Sequence, residues 1–397
     1  MQCISVDPAI EPAPGASAGH QNRVNSSIES CRKEKSMSQP LSINGINHVE
    51  LIVGNAKQAA FYYRNAVGFE QFAYLGPETG HRDRVSYALR QGDIVLVLTS
   101  PLTHMNPMTT FLALHGDSVR DVCFEVDNVD AVFQEAVERG AEPEQQPADL
   151  EDDNGTVRKA AVKTYGECRH SLICTKDYSG PFLPGFKEAA VHTEGAGLVR
   201  IDHIVGNVEL RQMDRWADFY IDVFGFDQFV SYDDKDIHTD WSALQSKVVA
   251  SKSRHIKFPI NEPAKGLKRS QIQEYLDFHL TAGVQHIAMY TDDIVTTVSR
   301  LRERGVVFLD VPDTYYDTIW DRVGEIDEDR EKIRKLSILV DRDDTGYLLQ
   351  LFTMPVQDRP TLFLEIIQRC GCESFGIGNF RSLFEAMERE QSRRGNL

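Results

Sequence analysis

The sequence has no apolar run approaching the ~20 residues needed to span a bilayer, so no membrane partner is expected. It has no surplus of positive charge. The formal net charge is -17, which opposes docking on a phosphate backbone, so no nucleic-acid partner is expected. That balance does not exclude an anionic small molecule, because a local site can differ in sign from the whole surface. The cysteines form no framework: Cys3, Cys31, Cys123, Cys168, Cys174, Cys370 and Cys372 are odd in number and contain no paired CxxC motifs. A reduced, cytoplasmic chain is the expectation. Cys370 and Cys372 stand one residue apart and make a poor closed metal site. Residues 1–42 lack the apolar stretch of a secretory signal. They also carry Asp7, Glu11, Glu29 and Glu34 beside their basic residues, unlike an acid-poor organelle-targeting peptide. Rich in Pro, Ser, Gly and Asn, this stretch is expected to be a disordered tail, with Met37 as an alternative start.

What is present is an ordinary globular composition, 41% apolar and 26% charged, with ample material for a core. A length of 397 residues suggests about two to three domains. An internal repeat organises them. Ile46-Asn47-His48-Val49, Val53-Gly54-Asn55, Ala60-Phe61-Tyr62 and Gly68-Phe69-Glu70-Gln71-Phe72 form the first copy. Ile201-Asp202-His203-Ile204, Val205-Gly206-Asn207, Ala217-Asp218-Phe219-Tyr220 and Gly225-Phe226-Asp227-Gln228-Phe229 form the second. Each reads as strand, helix, strand. A further pair, Val122–Val126 leading to Gly140 and His286–Tyr290 leading to Gly305, also reads as strand then helix, and both close on Glu-Arg-Gly. The expected class is α+β, built from paired βαβββ modules, two per half. This resembles the vicinal-oxygen-chelate fold, whose modules curl into open barrels. The N-terminal domain is expected over 43–185 and the C-terminal domain over 186–397, with a Pro/Gly-dense linker at about 178–199.

Three residues of the second half stand out. His203, His286 and Glu365 each sit in an apolar strand, far apart in sequence. A lone histidine among Val and Ile is ordinary. A carboxylate between Leu364 and Ile366 is harder to explain, because a buried charge needs a partner or a metal. One cation resolves all three anomalies, and two imidazoles with one carboxylate form the facial triad of non-haem Fe(II) oxygenases. The first half is an internal control. His48 stands opposite His203, Asp121 falls opposite His286, and the strand His170–Cys174 offers no carboxylate opposite Glu365. Only the second copy keeps the full set, so the first is expected to be non-catalytic scaffold.

Longer motifs make the resemblance specific. Asn261-Glu262-Pro263, Lys268 to Tyr275, Gly283-Val284-Gln285-His286, Gly346 to Thr353, Asp358 to Glu365 and Phe375 to Phe380 follow in order. Together they resemble the 4-hydroxyphenylpyruvate dioxygenases, from about residue 44 to the C-terminus. That family converts 4-hydroxyphenylpyruvate and O₂ to homogentisate and CO₂ in tyrosine and phenylalanine breakdown. The resemblance implies one Fe(II) per chain on His203, His286 and Glu365. Its substrate supplies the 2-oxo acid, so no separate 2-oxoglutarate is needed. It further implies that Gln271, Gln285, Gln350, Asn261 and Ser246 orient the substrate. Phe352, Phe363, Phe375, Asn379 and Phe380 would enclose it. A helix at about 379–395, capped by Asn379, would act as a lid hinged at Gly376 and Gly378. A homodimer or homotetramer is implied as well. Leu280-Thr281 and Ser374 depart from the family pattern beside functional segments. The nearest competing reading is 4-hydroxymandelate synthase on the same substrate, against which Phe352 and Asn261 speak. A glyoxalase-like Zn²⁺ or Ni²⁺ enzyme and a metal-free binding module are the remaining alternatives.

Overall fold

The computed structural model describes residues 40–232, 244–264 and 268–396. The tail expected over 1–42, with Cys3, Cys31 and Met37, lies outside the described residues as far as residue 39. Its last residues do not belong to a tail: Leu41 is buried, and its N–H donates to the carbonyl of Phe224 at 3.1 Å.

Four βαβββ modules follow one another. The first is β1 (Ile43–Ile52), α1 (Ala56–Asn65), β2 (Glu70–Leu75), β3 (Arg84–Gln91) and β4 (Ile94–Pro101). After α2 (Pro107–His115), the second is β5 (Ser118–Val126), α3 (Val129–Glu138), β6 (Pro143–Asp152), β7 (Gly155–Lys163) and β8 (Arg169–Cys174). A lone strand follows, β9 (Lys187–Val191). The third module is β10 (Leu198–Asn207), α4 (Met213–Phe224), β11 (Asp227–Tyr232), β12 (Leu244–Ala250) and β13 (Lys257–Pro263). Helix α5 (Gln271–His279) leads to the fourth. That module is β14 (Gly283–Thr291), α6 (Ile294–Glu303), β15 (Leu339–Arg342), β16 (Tyr347–Phe352) and β17 (Phe363–Cys370), with two extra helices, α7 (Asp313–Val323) and α8 (Arg330–Lys335), inserted before β15. Helix α9 (Ile377–Arg393) comes last.

Local chemistry sets the module boundaries. The side chains of Asn55, Asn128 and Asp293 accept from the backbone N–H of the third residue of α1, α3 and α6. Short acceptors at this place satisfy donors that a helix start leaves open. Gly225 ends α4 at φ +70, a left-handed conformation that costs glycine nothing.

The strands form two mixed sheets of the same plan. The first runs β6-β7-β8-β5-β1-β4-β3-β2-β9 and the second β11-β12-β13-β10-β14-β17-β16-β15. At the centre of each, the first strands of paired modules lie antiparallel, β1 with β5 and β10 with β14. Each central strand is flanked by the last strand of its own module, in parallel. The linker expected at about 178–199 is therefore not all linker. Lys187–Val191 pairs with β2 and extends the first sheet past the expected boundary at 185. Its open backbone groups are satisfied along an otherwise free sheet edge.

One apolar core joins the halves. Phe124 of β5 packs against Phe224 and Phe258 of the third module, and each is fully buried. Burial of each such ring contributes about 1.5–3 kcal/mol. The interior of the first barrel is filled by its own chain. Leu183 and Phe186 pack on Ala73, Ala88, Val97 and Cys123, and Phe182 meets the His48 ring edge-on at 5.3 Å. The second barrel is not filled this way.

Candidate metal centre

Sheet register brings the three candidate ligands together. His203 on β10 and Glu365 on β17 both pair with Ala288 of β14, one from each side. His286 lies two residues back on β14, on the same face. Ala288 is the small residue over which two side chains from alternate strands lean to meet. His203 Nε2 lies 3.2 Å and His286 Nε2 3.1 Å from one oxygen, Glu365 Oε2. The ligand atoms fall within 4.8 Å of one another, and all three residues are buried. Among the described residues, this is the one group of His, Cys, Asp or Glu side chains so placed.

The second nitrogen of each imidazole is fixed by a neighbour. His203 Nδ1 lies 2.8 Å from Asp202 Oδ1, and His286 Nδ1 lies 3.0 Å from Gln285 Oε1. Both partners accept, so each ring keeps Nε2 free to bind a cation. The two imidazoles differ in charge preference. Burial disfavours the protonated form of both. At His203 the Glu365 charge and the Asp202 hydrogen bond outweigh burial and raise its pKa. At His286, backed by a neutral amide, burial wins and the pKa falls. Burial alone would raise Glu365, but the imidazoles hold its carboxyl at about 2. A permanently ionised carboxylate with two imidazole nitrogens is a donor set that fits Fe(II).

Above the triad lies about 580 Å³ of space free of protein atoms. Ser246, Asn261, Gln271, Gln285, Gln350, Phe352, Phe363, Phe375 and Phe380 all line it, as do Leu383, Phe384 and Met387 of α9. Ser246 and Asn261 are register partners across β12 and β13. Gln271 is the first residue of α5, whose start is capped by Ser270. Phe363 stacks on the His286 ring at 4.8 Å, and Phe375 meets His203 edge-on at 5.0 Å. Two buried amide atoms on the cavity wall, Gln271 Oε1 and Gln350 Nε2, have no protein partner. Such atoms are costly unless a ligand or water meets them.

Asn379 departs from its expected place. It does not line the cavity. Its Oδ1 accepts from the Tyr315 hydroxyl at 2.7 Å, and it lies inside α9 rather than at its cap. The helix starts earlier, at Ile377, after Gly376 in a left-handed conformation at φ +74. Leu280, one of the departures from the family pattern, is exposed and also left-handed at φ +71, where a smaller residue is less strained.

Three residues of the site carried too weak a signal to be singled out: Asp202, Arg369 and Ala288. Asp202 is a buried carboxylate beside a candidate ligand, an anomaly of the same kind as Glu365. Arg369 is its counter-charge, but nothing in the spacing joins β10 to β17. Ala288 matters only through register.

The paired βαβββ modules around a buried His-His-Glu triad define the class. The profile described as the glyoxalase/bleomycin resistance protein/dioxygenase superfamily matches residues 200–351. A second, described as hydroxyphenylpyruvate dioxygenase N-terminal, matches residues 37–179. The chain is 50% identical to a 4-hydroxyphenylpyruvate dioxygenase of Aspergillus fumigatus, over 90% of this chain and 94% of the relative. It is 47% identical to one of Dictyostelium discoideum, over 89% of this chain and all of the relative. Among solved structures, a mutant of 4-hydroxymandelate synthase from Streptomyces coelicolor superposes with a TM-score of 0.79. It shares 34% identity and covers 89% of this chain and all of its own. This chain belongs to the 4-hydroxyphenylpyruvate dioxygenase family; it is a dioxygenase, and its His203, His286 and Glu365 side chains are placed so that they could hold a metal ion. Among the described residues, no helix is long and apolar enough to cross a membrane.

Proposed function

We propose that the chain converts 4-hydroxyphenylpyruvate and O₂ to homogentisate and CO₂, in tyrosine and phenylalanine breakdown. One Fe(II) per chain would be held by His203, His286 and Glu365. The observation that carries this reading is a buried triad opening on a cavity with two unpartnered amide atoms. When bound, Fe(II) supplies the redox chemistry with O₂ that side chains lack, and a facial triad leaves adjacent positions for substrate and O₂.

The chain's own residues bind and orient. Gln271 and Gln350 offer their unpaired amide atoms to the substrate's polar groups, with Ser246 and Asn261 beside them. Gln285 holds the His286 tautomer and faces the same space. Phe352, Phe363, Phe375 and Phe380 wall an aromatic ring and keep water from the reacting atoms. The substrate brings its own 2-oxo acid, so no 2-oxoglutarate is required. We assign the chemistry to the C-terminal domain and a scaffold role to the N-terminal one. A homodimer or homotetramer in the cytoplasm suits the family. The free thiols at Cys123, Cys168, Cys174, Cys370 and Cys372 suit a reducing compartment.

The 4-hydroxymandelate synthase likeness makes side-chain hydroxylation the second reading. Phe352 and Asn261 favour ring hydroxylation. Purified protein with Fe(II) and 4-hydroxyphenylpyruvate, compared in air and without O₂ by mass spectrometry, separates the two. Homogentisate formed only in air is expected. 4-Hydroxymandelate as main product moves the assignment to the second reading, and unchanged substrate with loaded iron overturns both.

A further inference from the structure

One buried cation beside the triad has no part in the chemistry above. Arg369 lies four residues beyond Glu365 on β17, on the same face of the strand. Its side chain is only 10% exposed. Nε and Nη2 donate to the two oxygens of Asp202, each at 2.8 Å. Nη1 donates to the carbonyls of Cys372 at 3.2 Å and Ser374 at 2.5 Å. The guanidinium also sits 5.3 Å from the centre of the Phe375 ring, the ring that meets His203 edge-on. Asp202 in turn holds His203 Nδ1.

Arg369 therefore spans two structures by hydrogen bonds, alongside the direct contact of the Phe375 ring with His203. One is the hydrogen bond that sets a ligand imidazole. The other is the turn over residues 372–376, from which α9 departs to wall the cavity with Phe380, Leu383, Phe384 and Met387. A guanidinium is planar and rigid, so a carboxylate gripped by one edge and carbonyls gripped by the other are held in fixed relation. The first half has no guanidinium at this place. Asp202 corresponds there to Asn47 and Arg369 corresponds by register to Thr175, and the two are joined through Glu125, which accepts from the Asn47 amide at 2.6 Å and the Thr175 hydroxyl at 3.1 Å.

We propose that Arg369 is a positioning residue that couples the seating of α9 over the cavity to the orientation of the His203 imidazole. This rests on the reading of His203, His286 and Glu365 as a metal site. Because coupling is reciprocal, metal loading and seating of the helix favour one another.

The test uses the full-length apo chain with Co(II) as probe. Affinity and ligand geometry are read from the d–d absorption. Amide exchange over residues 374–384 is followed with and without Co(II). In the wild type, Co(II) is expected to slow that exchange. Arg369→Gln should weaken Co(II) binding about 10–100-fold, shift the d–d bands, and abolish the metal-dependent slowing even at saturating Co(II). Arg369→Lys keeps the charge without the fork, and should leave the slowing unrestored. Asp202→Asn breaks the fork from the other side and carries the same expectation if Arg369→Gln does not fold. A folded variant of either residue with Co(II) affinity within about twofold of wild type, or with the slowing intact, overturns the proposal. A wild type that binds Co(II) without any change over 374–384 overturns it as well. A wild type that takes up no Co(II) overturns the metal reading itself.

Discussion

At the register position of Glu365 the first barrel carries Ser171, and at that of His286 it carries Asp121. His48 alone matches its counterpart, His203. The two rows then solve the same electrostatic problem in different ways. In the first barrel, Asp121 is fully buried and accepts from the Ser171 backbone at 2.9 Å, the Ser171 hydroxyl, and Arg169 Nε at 2.8 Å. Burial alone would raise its carboxyl, but Arg169 and Lys159 hold it far below the ordinary range. His48 is pushed down to about 4 by burial and by the Lys159 charge. Its barrel is plugged by Phe182, Leu183 and Phe186. In the second barrel the carboxylate meets imidazoles instead of fixed cations, and the space above stays open. The first copy is a structural core, where fixed cations meet the buried carboxylate of this row and a plug fills the barrel. In the second, Arg369 is engaged by Asp202, the Glu365 carboxylate meets imidazoles, and the space above is open.

The largest expected effect separates the rows outright. Glu365→Gln should weaken Fe(II) or Co(II) binding on the order of 100-fold or more and abolish turnover. Asp121→Asn should leave metal stoichiometry unchanged. Metal titration of both variants checks this, and metal lost on the Asp121 change would break the comparison. Asp121→Ala should instead cost about 3 kcal/mol of stability, because it breaks a buried ion pair and its hydrogen bonds to Ser171, with Arg169 left to Glu144 and Glu50. A denaturant midpoint measures it, and the remaining folded protein should bind one metal per chain. Phe186→Ala, removing part of the plug, should cost about 3 kcal/mol with the metal affinity of the other barrel unchanged.

Proton competition gives a smaller, graded effect. The Glu365 charge and the Asp202 hydrogen bond favour the protonated form of His203 and raise its pKa, so a cation binding there competes with a proton. Metal affinity should therefore fall as pH drops below that pKa, by about tenfold per unit for one displaced proton, and level off above it. Titrations across pH follow this directly. An affinity flat through the acid range would argue that His203 is not a ligand. Smallest is Gln350→Ala, which should raise KM about 10-fold with metal affinity intact, the worth of one hydrogen bond to the substrate.

The repeat, the module order and the triad were all legible in the sequence, because each rests on local pattern or on a polar residue where apolar ones belong. The alignment that set Asp121 against His286 agrees with the sheet register. What was not legible depends on contacts between distant segments. Strand β9 is a run of Lys, Glu, Ala and Val with no strong period, and only the free edge of β2 recruits it. Helices α7 and α8 interrupt the fourth module where the repeat has no counterpart. Asn379 has the residue type of a cap, but it lies inside α9 and its side chain meets Tyr315. Ala288, Asp202 and Arg369 gain meaning only when three strands are laid side by side.

The most direct measurement is anomalous diffraction at the iron edge from crystals of the Fe(II)-loaded chain. One peak per chain is expected, within bonding distance of His203 Nε2, His286 Nε2 and a Glu365 oxygen, with none beside His48. A peak in the first barrel, or a loaded chain with no peak between those three side chains, would contradict the division of the molecule into one metal centre and one scaffold.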